Sequence, residues 1–131
     1  MTVVAILIIA WSQSATSSAQ PAPQGRPLTG AEIRAAYLGN TSYSAGRFGP
    51  KTTAGYFSPD GTVKLRSPDI SDVGTYNISD EGVYFSKFTK ISIGTENCMT
   101  IYRIGQNLFE AHLTNGTVLQ VLIVPGNPEG L

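Results

Sequence analysis

The stretch that decides the fold is Leu108-Phe109-Glu110-Ala111-His112-Leu113-Thr114-Asn115-Gly116-Thr117-Val118-Leu119-Gln120-Val121-Leu122-Ile123-Val124. Phe109, Ala111 and Leu113 alternate with Glu110 and His112, the period-two pattern of a strand wet on one face. Asn115-Gly116 offers two residues that tolerate positive φ, as a two-residue type I′ hairpin turn requires. Beyond it the chain is apolar at nearly every position, so this second strand is expected to be covered on both faces. The only element the sequence provides for its outer face is a helix around Ile33 and Tyr37.

Outward from that hairpin the same punctuation recurs at Ser58-Pro59-Asp60-Gly61, Ser79-Asp80-Glu81-Gly82 and Ile104-Gly105-Gln106-Asn107. Pro59 presets φ for a type I turn, with Gly61 free to take positive φ. Aromatic and β-branched runs between the turns predict strands over 53–58, 62–66, 73–78, 83–89, 98–104, 108–113 and 117–124. Residues 41–51, with Gly46, Gly49 and Pro50, read as a loop or an irregular edge strand. Upstream, Thr29-Gly30-Ala31-Glu32 is a capping box, Ile33, Ala36 and Tyr37 share one face, and Gly39 is a left-handed stop. A helix over 30–38 follows. The expected fold is mainly β, of the α+β kind: a short N-terminal helix packed on a strongly curled antiparallel β-sheet, or a small half-open barrel of six to seven strands.

Residues 3–11 form an unbroken apolar run, too short to span a bilayer but of the length found in export signals. Ser17 and Ala19 place small side chains where a signal peptidase holds them, so cleavage is expected between Ala19 and Gln20. Residues 1–19 then read as a signal peptide, 20–27 as a Pro-containing linker and 28–131 as a single β-rich domain, exported to a periplasmic or extracellular space. No Cys follows the apolar run to take a lipid anchor.

Nine basic and nine acidic residues, all after Gly25, leave the chain formally neutral. That gives no electrostatic footprint for nucleic acid or an anionic membrane surface. Cys98 is the single cysteine, so no internal disulfide can form and packing alone must hold the core.

Chemistry-bearing residues are sparse. Gly49-Pro50-Lys51-Thr52 has the composition of a phosphate loop, but Pro50 separates the glycine from the lysine and a strand follows where a helix N-terminus is needed. His112, the only histidine, is expected to face solvent beside Glu110, the two side chains diverging. Asp60, Asp69, Asp72 and Asp80 fall at turn positions where Asp serves the backbone, with Asp69 and Asp72 the nearest approach to a calcium pair. No metal, cofactor or catalytic residue is assigned. Cys98 reads as a buried, inert thiol. Asn40, Asn77 and Asn115 stand in glycosylation sequons but read as turn asparagines. Tyr43, Phe48, Tyr56, Phe57, Tyr76, Tyr84, Phe85, Phe88, Tyr102 and Phe109 read as core, with the lining of a ligand cavity as the alternative.

The order Leu28-Thr29-Gly30-Ala31-Glu32-Ile33, Gly39-Asn40-Thr41, Tyr56 with Pro59-Asp60-Gly61, Gly74-Thr75-Tyr76, Cys98 before Tyr102-Arg103, and Pro125-Gly126-Asn127 resembles a group of small exported proteobacterial proteins classed as domains of unknown function. The resemblance spans 28–131, rests on turn and core residues and transfers no activity. That group tends to carry Trp where Tyr76 stands and a first cysteine about where Phe85 stands, paired with the equivalent of Cys98; the bridge cannot form here.

The expected function is an exported, non-enzymatic binding or interaction module for an unknown protein or cell-envelope partner. One concrete form, by analogy of architecture, is a small β-barrel protease inhibitor. The alternative is a carrier of a small apolar ligand in the concave face of the sheet, and the third reading is a hydrolytic enzyme using His112 with Glu110.

Overall fold

The computed structural model describes residues 25–46, 49–91 and 96–131. The expected signal peptide, the Ala19/Gln20 cleavage point and most of the 20–27 linker lie outside them, as does Phe48.

One helix, α1 (Gly30–Tyr37), is followed by eight strands: β1 (Asn40–Gly46), β2 (Gly49–Phe57), β3 (Thr62–Arg66), β4 (Ser71–Ile78), β5 (Val83–Phe88), β6 (Asn97–Arg103), β7 (Leu108–Leu113) and β8 (Val118–Pro125). Every strand pairs antiparallel with its neighbours in sequence, and β8 pairs with β1, so the sheet closes completely. The expected mainly β fold, a short helix packed on a curled antiparallel sheet, is what forms; the six to seven strands expected become eight, and the sheet or half-open barrel closes fully. The closing strand is β1, expected to be a loop or an irregular edge strand. It is hydrogen-bonded on both sides, with Thr41 opposite Tyr56 and Val124 and a register shift between Ser44 and Gly46. Its inward residues, Ser42 and Ser44, are hydroxylic rather than apolar, so it lacks the alternation that betrays a strand.

Helix α1 starts as its capping box dictates. The Thr29 hydroxyl accepts from the Glu32 amide, and the Glu32 carboxylate accepts from the Thr29 amide at 2.9 Å. Arg26 holds that carboxylate by a 2.7 Å ion pair, and this contact, with the Thr29 amide, draws its pKa down to about 2. Gly39 follows the helix at φ +75°, and the Asn40 side chain donates to the Ala36 carbonyl. The helix does not cover β8. It lies across one end of the barrel, where the Leu28 amide donates to the Ile101 carbonyl and Arg34 donates to the Ile78 carbonyl.

Tyr37 drops from the helix into the barrel. Its ring meets Phe57 edge-on at 4.9 Å and Phe109 and Tyr84 at 6.1 and 6.4 Å, while Tyr76 and Tyr84 stack at 5.9 Å. Burial pushes the Tyr37 hydroxyl pKa up. With Ile33, Val63, Ile78 and Ile101, all buried, these rings form a plug that stops this end of the lumen. Tyr43, Tyr56, Phe85 and Tyr102 alternate with inward residues and lie less buried on their strands.

Three hairpins share one device. In each, the fourth residue donates to the first carbonyl and the first amide donates to the fifth carbonyl: Ser58–Thr62, Ser79–Val83 and Leu113–Thr117. This is a type I turn closed by a glycine bulge, with Gly61, Gly82 and Gly116 at φ +94°, +99° and +92°. The two-residue type I′ turn expected at Asn115-Gly116 is thus corrected to a three-residue loop. The Asn115 carboxamide oxygen accepts from the Thr117 amide, a job it can do only one residue earlier in the turn than the glycine.

Candidate functional site

Because the plug fills only one end, the other end keeps space. A cavity of about 70 Å³ lies in the lumen, between Tyr37, Phe57, Val63 and Tyr84 at its floor and Leu65, Phe88, Met99 and Leu119 higher up. Its wall is mostly apolar, interrupted by four hydroxyls: Ser42 and Ser44 from β1, Thr53 from β2 and Ser86 from β5. Ser42, Thr53 and Ser86 are buried. Ser86 stands four strands round the ring from β1, so the hydroxyls approach the cavity from opposed walls. The Ser42 hydroxyl donates to the Gly55 carbonyl at 3.5 Å, and no side-chain hydrogen bond joins Ser44, Thr53 or Ser86 to another described residue.

The rim at this end is held by Asp72. Buried at the start of β4, its carboxylate accepts from the Thr89 hydroxyl and from the amides of Val73, Lys90 and Ile91, each amide at 2.8 Å. Burial opposes ionisation, but the bonds from Thr89, Ile91, Lys90 and Val73 outweigh it and hold the carboxyl well below the usual range. Asp72 was expected to sit in a turn, within reach of calcium. It belongs to a strand instead, and its oxygens are committed to fastening the segment that leaves β5. Among the described residues no three His, Cys, Asp or Glu side chains converge as a metal site.

On the outer wall, His112 and Glu110 do not diverge. The His112 Nε2 lies 2.9 Å from the Glu110 Oε1, the Tyr102 ring is 4.7 Å from the imidazole, and Glu110 is buried. Tyr102 and Gln120 flank Glu110 in the two adjacent ladders, which explains how a carboxylate on an outer face loses its water. Cys98, expected to be buried, is half-buried and free on the same wall of β6, directly opposite Phe85. Asn77 lies in β4 rather than in a turn.

The outer face of β8 is open where the sequence predicts a cover. Val118 and Leu122 are 49% and 44% exposed, and with Tyr43, Leu108 and Gln120 they line a groove of about 470 Å³ across β7, β8 and β1. The C-terminal residues cover a different part of the wall: Gly126 accepts from Thr41, and Glu129 accepts from Tyr43 and Arg66. This groove left no signal of its own in the sequence, because apolar outward residues on β8 are indistinguishable there from residues awaiting a partner element.

Among the described residues no helix is long and apolar enough to cross a membrane. Compared with protein-family models, curated proteins and solved structures, the chain matches none.

Proposed function

We propose that the protein is an exported, non-enzymatic binding module that docks a protein partner on the outer face of β7, β8 and β1. The observation that carries this reading is the exposure of Val118 and Leu122 on a strand whose inner residues Leu119, Val121 and Ile123 already build the core. A groove lined by Tyr43, Ser44, Ala45, Thr52, Leu108, Val118, Gln120 and Leu122 offers apolar surface, with no charged side chain among these described lining residues. It suits an uncharged, extended apolar segment of the partner. A protease inhibitor of the cell envelope is one concrete form. The lumen is smaller than the roughly 300–1,000 Å³ of a site for a drug-sized ligand, which weighs against a carrier of bulky apolar cargo. Among the described residues no nucleophile is hydrogen-bonded to the pair of His112 and Glu110, which weighs against hydrolysis.

The test has two parts. Intact mass of material exported by a bacterial host is expected to show a chain beginning at Gln20; retention with residues 1–19 in place contradicts export. Cross-linking of the mature chain to envelope proteins is expected to give one discrete complex, lost in the double variant Val118→Lys, Leu122→Lys. Survival of the complex in that variant moves the site elsewhere.

A further inference from the structure

The outer wall beside the groove carries a buried carboxylate that pairs with no described lysine or arginine. We propose that Glu110, His112 and Tyr102 form the seat for an arginine side chain of the docked partner, an inference that rests on the groove reading and extends it. Glu110 is 8% exposed although it stands on the outer face of β7. Acidic side chains are almost never this buried unless paired. Its one ionic partner among the described residues is His112, with Nε2 at 2.9 Å from Oε1. A neutral imidazole donates a hydrogen bond there without supplying a countercharge. Strands β7 and β8 contain no lysine or arginine. The single arginine of β6, Arg103, holds its guanidinium over the Phe109 ring at 4.8 Å and donates to the Gln106 carbonyl. A cation from a partner would complete the pair.

Position and shape set the class of that cation. The second carboxylate oxygen, Oε2, is bonded to no other described residue and is not a sealed-off polar atom, so it opens to the surface. Tyr102 stands directly opposite Glu110 in the β6–β7 ladder, its ring 4.7 Å from the imidazole. A planar guanidinium stacks on such an aromatic face while donating to a carboxylate, a combination that the compact, strongly hydrated ammonium of a lysine does not match. A metal ion is a poorer occupant, since no third His, Cys, Asp or Glu among the described residues joins the pair. Seat and groove are continuous. Gln120 lies opposite Glu110, and Leu122 and Val118 lie opposite Leu108 and His112, so groove residues border the seat along its whole β8 side. An uncharged stretch lying along β8 therefore needs one flanking arginine to engage both.

The probe is n-butylguanidinium, with n-butylurea as a neutral control of the same planar shape, titrated into the full chain at about pH 8, above the ordinary histidine range, and followed by amide NMR. Saturable shifts are expected at Tyr102, Glu110, His112 and Gln120 with the cation and none with the urea. Glu110→Gln, which keeps the shape and removes the charge, is expected to weaken the cation roughly fivefold or more, and Tyr102→Leu roughly two- to threefold. Equal affinity in Glu110→Gln, equal binding of the urea, or shifts confined to other carboxylates would each overturn the seat. Melting curves of both variants separate loss of the site from loss of the fold. In the cross-linking assay Glu110→Gln is expected to weaken the partner complex by a similar factor. A complex of full strength in that variant overturns the seat and leaves the groove reading standing, whereas absence of any complex in wild type overturns the groove reading and this inference with it.

Discussion

The two ends of the barrel are built on opposite principles. At the helix end, Tyr37, Phe57, Tyr84 and Phe109 interlock, and Gly82 brings the β4–β5 turn so close to the incoming chain that a Cβ there would stand 2.0 Å from the Leu28 carbonyl oxygen. At the rim, small hydroxylic residues leave space, and one carboxylate ties down the loop. The difference teaches that a closed eight-stranded barrel need not spread its packing evenly: large side chains at one end carry stability and small ones at the other make room.

The harshest way to break this asymmetry is Tyr37→Ala, which removes the ring common to three aromatic contacts. It is expected to cost about 3–5 kcal/mol in urea unfolding and to join the cavity to solvent at the helix end. A loss below about 1 kcal/mol would mean that the helix merely rests on the barrel.

Asp72→Asn comes next. An amide cannot accept from four donors as the carboxylate does, so a loss of about 2–3 kcal/mol near neutral pH is expected. The Asp72 pKa is lower in the folded than in the unfolded chain. Its contribution is therefore complete above the unfolded value of about 4 and is lost as pH falls below it toward the folded value. Thermal melts between pH 7 and 2 should show wild type losing stability more steeply than Asp72→Asn; parallel curves would refute the clamp.

Glycines in matched turns give a subtler comparison. Gly82→Ala is expected to cost about 2–3 kcal/mol, since it adds a collision to the strain of positive φ, whereas Gly116→Ala meets nothing within 4 Å and should cost about 1 kcal/mol. Equal penalties in denaturant melts would show that the tight approach at the helix end relaxes freely. Smallest of all, Leu122→Lys on the open outer face should change stability by no more than about 0.5 kcal/mol while weakening the proposed partner complex. A large loss of stability would assign Leu122 to the core rather than to an interface.

Locally encoded features were legible in the sequence. The capping box, the Gly39 stop and strands β3 and β7 follow from neighbouring residues and appear where those residues place them. Closure was not legible, because β1 presents Ser42 and Ser44 inward and so looks like turn sequence. The same serines make the polar wall of the lumen, and their meeting with Ser86 depends on a ring of pairings between residues far apart in the chain. The approach of His112 to Glu110 was missed for a different reason: alternation tells which face a side chain takes, not whether flanking Tyr102 and Gln120 will enclose it.

Native-state amide hydrogen exchange across the barrel tests the central claim most directly. If packing is concentrated at the plug, the amides of Tyr84, Ile101 and Phe109 exchange only through global unfolding, and those of Ser44, Thr53 and Phe88 exchange through smaller, local openings. Equal protection at both ends, or stronger protection at the rim, would contradict the account.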